Sequence, residues 1–530
     1  MKNSGKKSLL KSGAQLSFLT LISRVLGVIR EATKAAFLGT SALADAFGIA
    51  FTIPNLFRRL FAENSVSVAF IPTFKSYLEN SNTLEEKQAT QNFIYATCTL
   101  VSFLTASVVV VGICIAPLII PLFYEGNAVD ILAETTLLTR IMFPYLFIIS
   151  FAALLQGILN GLKIFAPSGF TPILFNLFVI AATYLLSPFM ANPARAMAVG
   201  VLAGGTAQAL FQLPFVLKNG WKISFTNLKK AFTNPGTRKV IALVGPTIIG
   251  MAAYQLNDIV SVALAGKAGT GVVSSLQYSL RLQELILGIF AVSIGTVILP
   301  DLTAFAKKQD WNEFNNILVQ AIRIIALITI PITFYSFFMG ENIITLVYKS
   351  RTFTDESVQL TLEAFKFHII GLFFIAVNRI VSPAFYAQEN TKSPTIAGII
   401  GFGINILLAL VLVKPLAGQG IALALTIASA TNTVVLFFFL AKNKTVAVGK
   451  VVKSTALYAL KMIVLSVIAI LPTLLVKERL FSLFEQSHRF IAQGVPLILS
   501  ALLFALIGIS MLLITKDPVA VLLKARILRK

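Results

Sequence analysis

The sequence predicts an all-α polytopic membrane protein of fourteen transmembrane helices: two pseudo-symmetric six-helix bundles followed by two C-terminal helices. Three observations lead there. The 530-residue chain is 57% hydrophobic and 12% charged, with mean hydropathy +0.85, whereas a soluble domain carries about 25% charged residues. Its apolar residues come in long runs. Residues 93–123 hold no charge at all and exceed the roughly 20 residues needed to cross the hydrocarbon core, where only helix satisfies the backbone. Finally, two stretches resemble one another at a spacing of about 230 residues, which argues for duplication of a six-helix unit.

Apolar runs set against polar breaks place the helices at 9–38, 41–76, 92–123, 133–160, 166–187, 193–217, 239–265, 270–303, 313–340, 358–387, 393–413, 418–441, 453–476 and 489–514. The first run is interrupted by Arg24 and Arg30, so it is not read as a cleavable signal peptide. The second contains Pro54, which removes a backbone donor and predicts a kink near 51–55, with Arg58 and Arg59 just beyond it. On the third, Cys98 and Cys114 are separated by about 24 Å of helix, too far for a disulfide, and are expected in the core. The segment from Pro144 through the fourth and fifth helices resembles the segment from Gly371, with Pro167 falling on Pro394; VSVAFIPTF and IGTVILPDL likewise place Pro72 on Pro300. Domains are therefore expected at 1–217 and 239–442, with helices 13 and 14 and a basic tail filling 443–530. Between the bundles, Trp221, Phe225, Leu228 and Phe232 recur at helical spacing among lysines, predicting an amphipathic linker helix over 218–238 on an anionic membrane surface.

The net charge of +22 is a topology signal rather than a nucleic-acid footprint. About 25 Lys/Arg fall in the termini and the loops on their side, against about 8 in the opposite loops. Both termini are thus expected in the cytoplasm. The basic ends, with Lys2, Lys6, Lys7 and Lys11 at one and Lys524, Arg526, Arg529 and Lys530 at the other, agree with an even number of crossings. His368 and His488 lack metal-ligand spacing, so no metal is expected.

Arginines inside apolar runs are costly and mark a pathway or a partner. Arg24 and Arg30 lie about 120° apart on the first helix and can line two walls of a cavity. Glu31 and Asp45 can each neutralise one of them; ion-paired bundle residues are the bland alternative. Arg58 and Arg59 can instead snorkel to the interface, which is the preferred reading for Arg59. On helix 8, Arg281 can pair with Glu284 one turn away. Guanidinium forks grip phosphate bidentately, so an anionic, diphosphate-bearing cargo is the expected ligand of Arg24, Arg30, Arg58 and Arg281.

The stretches SRVLGVIREA, ADAFGIAFTIPNLFRRLFAE and AFIPTF, continued by FPYLFIISFAALLQGILN, GPTIIG and GTVILPDL, resemble the signature of the MurJ (MviN) lipid II flippases, a branch of the multidrug/oligosaccharidyl-lipid/polysaccharide (MOP) exporter superfamily. The resemblance covers essentially the whole chain. It implies a non-enzymatic flippase moving undecaprenyl-diphosphate-linked peptidoglycan precursor across the bacterial cytoplasmic membrane, with lipid II and membrane lipids as partners and no nucleic acid. Arginines matching Arg24, Arg30, Arg58 and Arg281 and the aspartate matching Asp45 matter in that family, and helices 13 and 14 receive the lipid tail. Some relatives hold sodium on helices 7, 11 and 12. Here Asp258 and Asn405 are only loose candidates, so no cofactor is expected and coupling to Na+, H+ or the membrane potential stays open. Pro54 is a plausible bending point for alternating access. Cell-wall synthesis proteins are compatible partners without an identifiable surface. The rival readings are a MATE-like multidrug exporter, which would want carboxylates rather than arginines, and a membrane enzyme on polyprenyl-linked saccharides, which would want larger loops with catalytic clusters.

Overall fold

A computed structural model describes residues 2–60, 69–81, 83–125, 129–442 and 446–521, with side chains except at 2–17, 246–247, 249–254 and 289–297. The side chains of Lys2, Lys6, Lys7 and Lys11, and the tail carrying Lys524, Arg526, Arg529 and Lys530, lie outside the described residues. All regular structure among the described residues is helical. By packing, the chain divides into two compact units, Met1–Ser274 and Ser275–Lys530.

In the first unit, α1 (Lys2–Leu38) turns at Gly39, φ +58°, into α2 (Ala42–Phe57). Ser41 caps α2 by accepting the Ala44 N–H at 3.3 Å. After α3 (Ile71–Glu79), Thr83 and Glu86 cap α4 (Leu84–Ile119) reciprocally. α5 (Val129–Met142) and α6 (Pro144–Gly161) form one run interrupted at Phe143, where Pro144 supplies no N–H. α7 (Ala166–Leu186), α8 (Pro193–Lys218), the short α9 (Leu228–Thr233) and α10 (Pro235–Ala268) complete the unit. One core joins Phe47, Met142, Tyr145, Phe175 and Met197; a second joins Phe70, Phe74, Phe93 and Leu155. In the second, the rings of Phe74, Phe70, Phe93 and Tyr77 stack in sequence at 5.5, 5.6 and 4.8 Å.

The unit boundary falls one turn into α11 (Val272–Lys307). The second unit continues with α12 (Trp311–Phe338), α13 (Gly340–Tyr348), α14 (Asp355–Ile370) and α15 (Leu372–Tyr386), the last two separated only at Gly371. α16 (Lys392–Ala441) is continuous in hydrogen bonding but not in direction: Ala417 takes φ 44°, ψ −126°, two residues after Pro415. A Cβ on Gly420 would stand 2.3 Å from the Leu412 carbonyl oxygen, so the arms on either side of Ala417 turn back on each other. A straight helix of 50 residues would run about 75 Å, far more than the hydrocarbon core. α17 (Val448–Ser482) and α18 (Arg489–Ile514) end the described helices. Among the described residues nine helices are long and apolar enough to cross a membrane.

Backbone devices recur between the units at the offset seen in the sequence. α6 ends with Lys163 at φ 64° and an Ile164 N–H to Leu159 carbonyl bond of 2.9 Å; α15 ends with Glu389 at φ 60° and an Asn390 N–H to Phe385 carbonyl bond of 3.0 Å. Both are Schellman ends, with a non-glycine residue held left-handed.

Several expectations change. The helix stays regular through Pro54 and widens into a π-type turn only at Arg58–Leu60, while 61–68 lie outside the described residues. The linker helix expected from Trp221 to Phe232 forms only over Leu228–Thr233. Residues 221–227 are non-helical because α4 offers better partners: Gln91 bonds the Lys222 N–H at 3.1 Å and carbonyl at 2.7 Å, and Thr99 accepts the Thr226 N–H at 2.8 Å. Trp221 meets the Phe74 ring edge-on at 5.8 Å. Cys98 is buried, but Cys114 is exposed on the face of α4 that also presents Val110, Val111 and Leu118. A lipid-facing thiol on a spanning helix is as well solvated as a buried one, so the apolar run alone could not separate them.

Candidate functional site

α1 carries the first unit's cations. Arg24 is half-buried; Arg30 lies six residues on, and its Nη2 donates to Glu31 at 2.7 Å. Lys34, one turn beyond Arg30 on the same face, is 3% exposed. These two cations sit at the ends of an aromatic row drawn from α2, α6 and α7. Lys34 Nζ lies 5.9 Å from the Phe47 ring, and the Arg30 guanidinium lies 5.6 Å from the Phe175 ring. Between them, Phe47 and Phe51 are 6.2 Å apart, Phe51 and Tyr145 6.4 Å, and Tyr145 and Phe175 5.7 Å. Ring faces stabilise cations taken out of water, which lets α1 keep both charges inside apolar surroundings. A guanidinium has five N–H donors, so the single Glu31 contact does not saturate Arg30.

Asp45, offered by the sequence as a counter-ion to an arginine, instead caps a helix. Its side chain is buried, and its two oxygens accept the Gly271 N–H at 2.5 Å and the Ser274 N–H at 2.8 Å. Gly271, at φ +83°, and Ser274 frame the first turn of α11, whose leading N–H groups have no intrahelical acceptor. The carboxylate from α2 therefore performs the N-cap role across the unit, next to the positive end of the helix dipole.

At the end of α2, Arg58 donates from Nε to Asn55 Oδ1 at 2.9 Å, and Arg59 donates from Nη1 to Asp258 Oδ2 on α10, also at 2.9 Å. Arg59 and Asp258 are 36% and 44% exposed, so this pair fixes geometry more than it adds stability. In the second unit, Arg281 pairs with Glu284 across one turn of α11 at 3.1 Å, and Asn405 is buried on the first arm of α16. Pro54 is buried within α2. Among the described residues no group of three or more His, Cys, Asp or Glu is placed to hold a metal. His368 is enclosed, with Nδ1 2.6 Å from Ser279 Oγ and its carbonyl accepting from the Gln283 amide.

Lys34 is the residue that sequence reasoning passed over. Its signal was present: Arg30 and Lys34 are i,i+4 on a helix otherwise apolar toward the core, and Phe47 and Phe51 repeat at the same interval.

Half-buried arginines thus stand on α1, at the end of α2 and on α11. The fold resembles that of an inward-facing multidrug-resistance MATE transporter of the MOP superfamily, with TM-score 0.67 at 15% identity, over 81% of this chain and 96% of that one, a likeness of fold alone. The sequence profile of the family Lipid II flippase MurJ matches residues 34–515, and the chain belongs to that family. It is 47% identical to a probable lipid II flippase MurJ of Treponema pallidum, over 97% of both chains. A Vibrio cholerae protein described in the same words is 32% identical over 81% of this chain and 82% of its own. A solved lipid II flippase MurJ in an inward closed conformation has TM-score 0.76 at 26% identity, covering 94% of this chain and 98% of that one.

Proposed function

We propose that this protein is a lipid II flippase of the bacterial cytoplasmic membrane, carrying undecaprenyl-diphosphate-linked disaccharide-pentapeptide from the inner to the outer leaflet by alternating access. The observation that carries this reading is the 47% identity, over 97% of the chain, to a protein described as a probable lipid II flippase. The side chains agree with it chemically. Arg24, Arg30 and Arg58 in the first unit and Arg281 in the second are the proposed phosphate ligands, because a guanidinium stays charged at every physiological pH and can exchange a carboxylate partner for phosphate oxygens. Lys34 would add a second cation to the Arg30 face. Asp45 and the Arg59–Asp258 pair hold helices in place rather than touching cargo. No covalent step is required.

Fourteen crossings follow if the nine long apolar helices are joined by α1, the α2–α3 run, α10, α11 and the second arm of α16. The recurrent Schellman ends of α6 and α15 support duplicated bundles at 1–217 and 239–442. An even count would leave both termini on one side, and the lysine-rich loops support the cytoplasm as that side. The outward faces of α17 and α18, with Leu475, Ile498 and Leu506 exposed, suit a polyprenyl tail that remains in lipid. Movement would draw on Na+, H+ or the membrane potential.

Reconstitution tests the reading. In vesicles loaded with lipid II, wild type should expose the headgroup to an externally added probe, and Arg24→Ala, Arg30→Ala and Arg281→Ala should each slow exposure at least tenfold, the loss expected when one charge-assisted phosphate contact worth about 1.5–3 kcal/mol is removed. Unchanged rates in all three variants would refute the arginine assignment. Movement of another polyprenyl-diphosphate saccharide but not lipid II would refute the cargo.

A further inference from the structure

In the second unit, α12, the first turns of α17 and the segment after α18 line an open pocket of about 500 Å³. Its floor is a closed ion pair. Asp517, with no exposed side-chain surface, accepts from Lys461 Nζ at 2.6 Å and from the Tyr458 hydroxyl at 3.0 Å, and the Val519 and Ala520 amides bond the same carboxylate at 3.0 and 3.2 Å. With that pair cancelled, the lining among the described residues keeps three cations, Arg323, Lys450 and Lys453, and no further carboxylate.

Arg323 is aimed rather than loose. Its Nη2 donates to Ser454 Oγ at 2.6 Å and its guanidinium lies over the Tyr458 ring at 5.5 Å, while its buried Nε has no hydrogen-bond acceptor among the described residues. Lys450, Lys453, Leu457 and Lys461 share one face of α17 at spacings of three and four residues. α17 is 35 residues long, about 52 Å, so its first turns reach beyond a hydrocarbon core of about 30 Å into the headgroup layer. Below the lysines, the exposed surface of α17 turns apolar: Leu457, Leu460, Val464 and Leu471 are all open to lipid. A basic pocket continued by an apolar helix face matches a ligand with a phosphate at one end and acyl chains at the other.

We propose that this pocket binds the phosphate headgroup of an anionic glycerophospholipid of the bilayer, at a site separate from the arginines of α1, α2 and α11. Arg323, Lys450 and Lys453 would bind the phosphate, and the acyl chains would lie along Leu457 and Leu460. This proposal does not depend on the cargo being lipid II.

The test uses the full-length protein in nonionic detergent with added phosphatidylglycerol or phosphatidylethanolamine, and counts retained lipid by native mass spectrometry. Phosphatidylglycerol should be retained and phosphatidylethanolamine not, and Lys450→Gln/Lys453→Gln should weaken retention about thirtyfold. Both lysines are exposed, so the variant should melt with wild type in lipid-free detergent. Arg323→Gln should weaken binding on its own. Equal retention by the lysine variant, or an equal loss in Lys218→Gln/Lys239→Gln, would overturn the proposal. So would displacement of phosphatidylglycerol by millimolar glycerol 3-phosphate, which would assign the pocket to a soluble phosphate ester.

Discussion

Asp45 stands almost wholly out of solvent with both oxygens committed to the Gly271 and Ser274 amides, and these bonds are its energetic value. Truncation leaves two buried N–H groups at the start of α11 without the acceptor that Asp45 provides. We expect Asp45→Ala to cost about 2–4 kcal/mol and Asp45→Asn less, because one amide oxygen remains to accept. Thermal unfolding in detergent measures this; equal midpoints for all three proteins would contradict the cap. Asp517 yields a pH prediction. Burial raises its carboxyl, but bonds from Lys461, the Ala520 amide and Tyr458 outweigh burial and hold it below the ordinary carboxylate range. A depressed folded pKa stabilises above the unfolded value of about 3.9, and that stability is lost as pH falls through the folded value. The midpoint gap between wild type and Asp517→Asn should therefore be constant near neutrality and shrink below about pH 4. Sequence located Asp45 and Arg30 as important and offered Glu31 as a partner for Arg30, but it did not reveal that Asp45 caps a helix, because a counter-ion and a helix cap require the same residue type.

Among the elements, α16 shows how local chemistry and close packing combine. The break between the apolar runs 393–413 and 418–441 was enough to separate two helices, but only the coordinates show the Leu412 carbonyl against Gly420. A backbone oxygen cannot move aside as a side-chain end can. Gly420→Ala should therefore lower the unfolding midpoint sharply or prevent accumulation, whereas Gly403→Ala on the same helix, with open space at its Cβ, should be neutral or stabilising by up to about 1 kcal/mol. A tolerated Gly420→Ala would mean that the arms do not approach so closely. The linker went the other way. Trp221, Phe225, Leu228 and Phe232 carry a genuine helical period, yet Gln91 and Thr99 of α4 take up the backbone groups that a helix would have used. Periodicity records which faces are apolar; it does not record competing hydrogen-bond partners elsewhere in the chain.

For the molecule as a whole, the charge distribution makes a testable statement about sidedness. On a Cys98→Ala/Cys114→Ala background, an impermeant maleimide applied outside intact cells should label Gln486→Cys, between α17 and α18, and spare Lys229→Cys in the linker; both positions are exposed. The opposite pattern would invert the topology. By itself the sequence determined that this chain is a helical membrane protein with cations in its apolar runs, and its motifs carried the family. Those properties are written in composition, run length and residue order, which the bilayer reads directly, since nothing but a helix can satisfy a backbone in hydrocarbon. Tertiary structure alone decided what each charge meets: Arg30 on Phe175, Lys34 on Phe47, Asp45 on the α11 amides, Arg59 on Asp258, and Lys461 on Asp517 beneath three further cations. Pairings such as Arg59 with Asp258, 199 residues apart, depend on side-chain directions and helix packing that no local pattern encodes.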